Sequence, residues 1–482
     1  MAWLTRPILT LSLLSAALGQ SGEALASETR NFTSGPAPEV AWVLPVGESD
    51  VEEDEIDGIS VDDRGNTVIS GVFRNEVILD GTKMQSRGEG DIFLASIAPD
   101  GTFNWAKQIG GPGDDNTYDV TTDAQGNIYA SGWFYGAVDF GGITLESAGS
   151  QDQFIAKFNP AGELAWARRF GGKAGAGGNE IAVLDNGEIA VVAISEGDFT
   201  IDGSTYEFGG GQRDSFIIRM TTDGDVLWVR HADGPGTERI RAISIGASGD
   251  VYAGFQYRGT LRLGKATLES RGGWDGALAR ITAGGEVAWV KPVGSPGKDS
   301  VRGVGAGEDG SIYASGVLGG KAIMIDRQIP RISRSNNDYV VKVSPDGEPL
   351  WLVTMAGPGR SLGAELVSDE RGVVVSSLVE GPVTIRRNRD IVGVIESPTG
   401  LPTSYLAAFD HAGNPRFVYM PSPEARNSGA LGDVLSVSRN GKYVAQAIRF
   451  RGRISIDGTV LTTPSQKDSA AILLRLNGSR GQ

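Results

Sequence analysis

A tryptophan returns at nearly constant intervals along this chain of 482 residues. Trp42, Trp105, Trp166, Trp228, Trp289 and Trp351 lie 63, 61, 62, 61 and 62 residues apart, and Phe417 takes the next place 66 residues on. Self-similarity at one fixed period is the signature of a repeat architecture, in which each unit buries its apolar surface against its neighbours. The length alone would suggest about three domains. The repeat overrides that estimate, because one period runs through nearly the whole chain.

Aligned on the tryptophans, four features recur. A Gly-rich segment follows each tryptophan, as in Gly110-Gly111-Pro112-Gly113 and Gly294-Ser295-Pro296-Gly297. A short alternating stretch comes next, such as DAQGNIYASG from Asp123 to Gly132. The third is a segment like VDFGGITLES (Val138 to Ser147), echoed by LRLGKATLES (Leu261 to Ser270). The last is a stretch opened by aspartate at Asp91, Asp152, Asp214, Asp275, Asp338 and Asp468. It leads to the next tryptophan through turns such as Asp100-Gly101, Ala161-Gly162 and Asp223-Gly224. Glycine accepts positive φ freely, so these dipeptides between alternating apolar residues predict hairpins. The period of two predicts strands, and no segment sustains a 3.6-residue pattern.

Four-stranded units repeated about seven times predict an all-β chain, a single closed seven-bladed β-propeller of four-stranded antiparallel blades. The tryptophans are expected as wedges between blades. The final repeat has its aspartate strand but no tryptophan strand, and the first tryptophan strand has no aspartate strand before it. The N-terminal strand 39–46 is therefore expected to pair with the C-terminal strand 468–476, closing the ring and hiding both edges. The propeller would occupy residues 39–480, preceded by a linker over 27–38.

The run D-x-x-G-N-x-Y-x-S-G, V-D-F-G-G, D-x-F-x-A-K, G-x-x-x-W-A and G-G is best formed between Ala124 and Gly172. It resembles the SBBP-type repeat of bacterial extracytoplasmic β-propeller proteins. The resemblance covers roughly Val40 to Leu476 and weakens between Gly357 and Gly429, where IRRNRDIVGVIESPTGLPTS replaces the usual third segment. It implies a seven-bladed propeller outside the cytoplasm and brings no catalytic residues.

Residues 1–26 read as a signal peptide: Arg6, an apolar run from Pro7 to Gly19, and Ala24-Leu25-Ala26 before the cleavage point. The run is too short to span a bilayer comfortably and no other segment is apolar enough, so the mature chain is expected to carry no transmembrane segment. A secreted, periplasmic or cell-surface location follows as the expectation. There is no cysteine, which excludes disulfides and thiolate chemistry. The net charge of −15 repels phosphate backbones and argues against nucleic acid as a partner. A single closed chain is expected to be a monomer.

Long, variable loops on a rigid scaffold are where binding concentrates. The Gly-rich segments and the VDFGG-type insertions should share one face, opposite the tight turns. Two acidic stretches map there: Asp50, Glu52, Asp54 and Asp57, then Asp114, Asp115 and Asp119. Oxygen donors suit calcium, and these seven residues are its candidate ligands; a merely solvated acidic loop is the alternative. Trp133, Tyr135, Tyr257 and Trp274 are candidate ligand-stacking aromatics, with blade packing as the alternative. Arg449, Arg451 and Arg453 are expected to meet the acidic first blades, since the ends of a ring adjoin. His231 and His411 sit in no motif, and neither a nucleophile elbow nor a zinc signature occurs. The composite expectation is a binding scaffold for a protein or glycan. Two alternatives stay open: a polysaccharide hydrolase or lyase using carboxylates at the channel mouth, and a structural envelope component.

Overall fold

The computed structural model describes residues 38–46, 54–329, 337–357, 365–379, 381–388, 390–396, 403–420, 422–423, 429–451, 453–462 and 468–476. The expected signal peptide, Asp50 and Glu52 lie outside them. Every element among the described residues is a β-strand, and the sheets pair antiparallel almost throughout. No described helix is long and apolar enough to cross a membrane.

The first sheet runs Glu55–Val61, Thr67–Phe73, Asp91–Ile97, Phe103–Ile109, each strand paired with the next. The second repeats this order with Asp115–Thr122, Ile128–Phe134, Asp152–Phe158 and Leu164–Phe170. The next three repeat it again, opening at Ala176–Val183, Thr237–Ile245 and Ser300–Ala306. In each of these three, a two-stranded hairpin extends the sheet. The last sheet joins Glu365–Asp369 and its partners to Gly429–Val437 and its partners through one parallel bridge, Thr403 to Ala430. Its far edge is Glu39–Val46, which pairs antiparallel with Asp468–Arg475, Val43 lying opposite Ile472. The first strands of successive sheets are neighbours, and 55–61 also contacts 429–437.

The segments expected as loop insertions are ordered hairpins. Ala137–Asp139 pairs with Thr144–Glu146, and Thr260–Leu263 with Ala266–Glu269. Each hairpin reaches back to the previous sheet, as Leu263 does opposite Ala232 and Met324 opposite Val293. Alternation explains this: Leu261 and Leu263 are buried in the core while Arg262 between them faces out. Where the repeat pattern weakens, Val383–Arg387 and Asp390–Ile395 form the same device in a longer version.

The tryptophans act at the joints. The indole N–H of Trp105 donates to Pro160 O at 3.0 Å, that of Trp166 to Thr222 O at 3.0 Å, and that of Trp228 to Ala283 O at 2.9 Å. Each acceptor lies in the last hairpin turn of the following sheet. The ring lies flat against the turn glycine: a Cβ on Gly162, whose φ is +79°, would come within 2.8 Å of the Trp105 ring. Trp42 meets Gly101 in the same way, which sets strand 39–46 beside the first sheet.

The strand-opening aspartates are structural. Asp91, Asp152, Asp214 and Asp275 are buried and accept backbone N–H groups of the preceding loop, from Arg87, Ala148, Gly209 and Arg271 at 2.7–3.1 Å. A buried carboxylate needs such donors to offset lost hydration. Both histidines belong to this framework. His231 Nε2 lies 2.8 Å from Asp214 Oδ2 and stacks on Phe216 at 4.3 Å. His411 contacts the Tyr313 hydroxyl and accepts Trp351 on its carbonyl.

Candidate functional site

The first strand of most sheets carries a β-bulge, one extra residue that bends the strand and re-aims a side chain. The register shifts fall at Asp57, Tyr118, 179–180, Arg241, Arg302 and 433. Their side chains, or those one residue on, converge on a cavity of about 460 Å³ enclosed by the first strands. Asp57, Asp119 and Glu180 line one part of it and Arg241 and Arg302 the next, and Glu365 and Arg449 line it too.

The two parts differ in how their charges are met. Arg449 reaches Glu55 at 3.0 Å and Asp57 at 3.7 Å, joining the last and first repeats. Asp119 Oδ2 accepts the Ile181 amide at 2.8 Å. Burial and the charge of Glu180 hold the Asp119 carboxyl well above the usual carboxylate range, and burial raises Glu180 too, opposed by Arg241. Arg241 and Arg302 have no hydrogen bond or ion pair among the described residues, and Arg302 Nε is buried without a partner. Burial, then repulsion from Arg241, pulls the Arg302 pKa down against the attraction of Asp338 and Glu365.

A second pocket of about 350 Å³ opens beside the channel and shares Tyr118 and Arg241 with it. One wall is aromatic: Trp133 and Tyr135 meet edge to face at 5.6 Å, and Tyr118 and Tyr135 are 42% and 39% exposed. The opposite wall holds Arg213, paired with Glu196 at 2.8 Å, and Arg239. The Arg239 guanidinium lies 5.4 Å from the Trp274 ring, and its Nε has no hydrogen-bond partner. Glycines 175, 177 and 178 also line it.

Of the aromatic candidates, Trp133 and Tyr135 come together in this pocket and Trp274 adjoins it through Arg239. Tyr257 does not join them: it is fully buried in the apolar core with Phe255 and Leu261. Of the candidate calcium ligands, Asp114 pairs with Arg74 at 3.2 Å and Asp115 accepts the Gly111 amide at 2.7 Å. Asp54 is buried. Asp57 and Asp119 face the channel. Among the described residues no group of three or more His, Asp or Glu is placed to hold a metal ion. Burial, with the charges of Asp91 and Asp114, raises the Asp115 carboxyl to about 7. Burial and Asp214 raise Glu238, the acid at the equivalent strand start, to about 8.

Arg239, Arg241, Arg302, Glu180 and Tyr118 were not singled out in the sequence. Their signal is present: charged residues recur about every 61 positions inside short apolar stretches, as in ERIRAIS and SVRGVGA. Only the bulge register turns that recurrence into a lining.

Comparison with known proteins agrees with the repeat reading. A family model described as a β-propeller repeat matches residues 104–133, and the chain carries a β-propeller repeat. The Regulatory protein FlaEY of Caulobacter vibrioides is 25% identical over 297 residues. The match covers 58% of this chain and 31% of that protein, so this chain spans about a third of that relative's length. Among solved structures, a chain of the Mitotic Checkpoint Complex is 8% identical with a TM-score of 0.45, covering 99% of this chain and 98% of its own. The Neurospora crassa Pan2 WD40 domain is 11% identical with a TM-score of 0.44, covering 93% and 98%.

Proposed function

We propose that the chain is one closed ring of seven four-stranded blades, exported from the cytoplasm, that works as a protein-interaction scaffold. Closure is supported by the contact of strands 55–61 and 429–437, the packing of Trp42 on Gly101, and the Arg449–Glu55 ion pair. Export is supported by the leader-like run before Ser27. One observation carries the binding reading: an exposed aromatic wall and two arginines that meet no carboxylate among the described residues, Arg239 and Arg241, come together in a pocket beside the channel. Aromatic and arginine side chains dominate the energetics of protein interfaces. The name of the Caulobacter relative, a regulatory protein, is compatible with a scaffold. A photo-crosslinking residue at Tyr135 should trap a partner protein in cells, whereas the same residue at Gln125, on a tight turn, should not. Equal trapping at both positions, or at neither, would remove the reading.

A glycan-cleaving role is a second reading, favoured by the neighbouring raised carboxyls of Asp119 and Glu180 next to aromatic side chains. Acid–base cleavage of a glycosidic bond needs a carboxyl that stays protonated near neutrality beside an ionised one. If it holds, Asp119→Asn and Glu180→Gln each abolish release of reducing ends from an anionic polysaccharide. No release by the native chain disposes of it.

A further inference from the structure

We infer that the pocket and channel together grip a partner segment of mixed charge: an acidic side chain at Arg239, Arg241 and Arg302, and a basic one at Asp119 and Glu180. The inference rests on the scaffold reading and names what that scaffold holds.

The arginines supply the first half of the argument. Arg241 and Arg302 repel each other from neighbouring first strands, and neither touches a carboxylate among the described residues. The Nε atoms of Arg239 and Arg302 are buried without a partner. A half-buried guanidinium left unpaired is costly, and a carboxylate accepting two of its N–H groups removes that cost. Guanidiniums clustered along two adjoining cavities that share Arg241 are therefore a receptor for an oxyanion.

The carboxyls supply the second half. Asp119 and Glu180 line the same channel, and the chain as a whole carries −15. A polyanion such as a polyuronate would satisfy the arginines but offers no cation to the carboxyls beside them. A peptide can place opposite charges a residue or two apart and satisfy both parts. The aromatic wall of Tyr118, Trp133 and Tyr135 lies alongside and offers apolar surface to a side chain between the two charges. Volumes of about 350 and 460 Å³ suit a few residues of an extended segment and exclude a folded domain.

The test uses the full chain on arrays of end-blocked pentapeptides with a central Tyr. One array places one Glu and one Lys at every pair of remaining positions; three others carry Glu only, Lys only or Gln only. The expected result is retention by a subset of Glu/Lys members and none by the other arrays. Arg241→Gln and Arg302→Gln should each weaken the best peptide by about tenfold or more, Arg241→Lys by less. Asp119→Asn should weaken it by about threefold or more and restore nothing to the Glu-only array. Thermal unfolding of each variant guards against loss of fold. Equal retention by Glu-only peptides would overturn the mixed-charge assignment. A silent Glu/Lys array, or trigalacturonate binding more tightly than the best peptide in calorimetry, would overturn the peptide assignment. A partner still crosslinked at Tyr135 in the Arg241→Gln variant would leave the scaffold standing and remove this site from it.

Discussion

The joints and the channel repeat at the same interval but under different constraints. At the joints the residue is nearly constant: tryptophan at six positions, each seated on a glycine turn of the neighbouring sheet. In the channel the position is constant and the residue changes, from Asp57 and Asp119 through Glu180 to Arg241 and Arg302. Each indole must fill the same gap, and all but Trp42 reach a carbonyl of the neighbouring turn, so packing fixes its identity. The bulge residues face a shared void, so packing asks nothing of them and chemistry is free to vary. A period that keeps its residue marks packing, and a period that keeps only its place marks a candidate site.

Breaking a joint should have the largest effect. Trp166 is 8% exposed and donates its indole N–H to the next sheet, so Trp166→Ala should cost about 3–5 kcal/mol, read from the urea midpoint. Gly162→Ala attacks the other half of a joint. Its φ of +79° is strained for alanine and the new Cβ would press into the Trp105 ring. We expect a loss of about 2–3 kcal/mol, combining left-handed strain with overpacking. A loss as large from a channel substitution would collapse the distinction.

Between joints and channel lie the acids that open the first strands, and they predict a pH response. Asp115 and Glu238 are fully buried and their carboxyls are raised, to about 7 and about 8. The folded state then holds protons that the unfolded chain has already released. The stability from this is fully present below about pH 4 and is lost as pH rises through about 7 to 8. Each group should account for a few kcal/mol across that window, at about 1.4 kcal/mol for each pH unit between its unfolded and folded values. Asp115→Asn and Glu238→Gln should each flatten the fall in denaturant midpoint between pH 4 and pH 8. A midpoint that rises over this range in the native chain would contradict the assignment.

Much of this fold is legible in the sequence because hairpin chemistry is local. Asp-Gly and Ala-Gly turns, alternating strands and the tryptophan period locate the strands of the regular repeats, and the partnership of 39–46 with 468–475 follows from two unmatched halves. The insertions are misread as loops because only Val138 and Phe140, or Leu261 and Leu263, reveal an alternation too short to stand out. Tyr257 and Trp274 are both aromatics near strand ends, yet one is core and the other stacks under Arg239; the difference is tertiary. The channel lining is least legible. A bulge shifts a strand by one residue, and Arg302 could point to core or cavity until the pairing of Val301 and Gly303 is known.

The smallest expected effect sharpens the comparison most. Replacing a paired buried arginine normally destabilises, because it strands a carboxylate. Arg302 differs: it touches no carboxylate among the described residues, and Arg241 repels it. Asp338 and Glu365 attract it from a distance, but its pKa is lowered on balance, so burial and repulsion outweigh that attraction. Arg302→Met keeps the stem and removes the charge. It should leave stability unchanged or raise it by up to about 1 kcal/mol, while Trp166→Ala in the same assay lowers it several-fold more. A loss above about 2 kcal/mol would mean that Arg302 holds neighbouring sheets together, making the channel a second structural joint in place of a binding site.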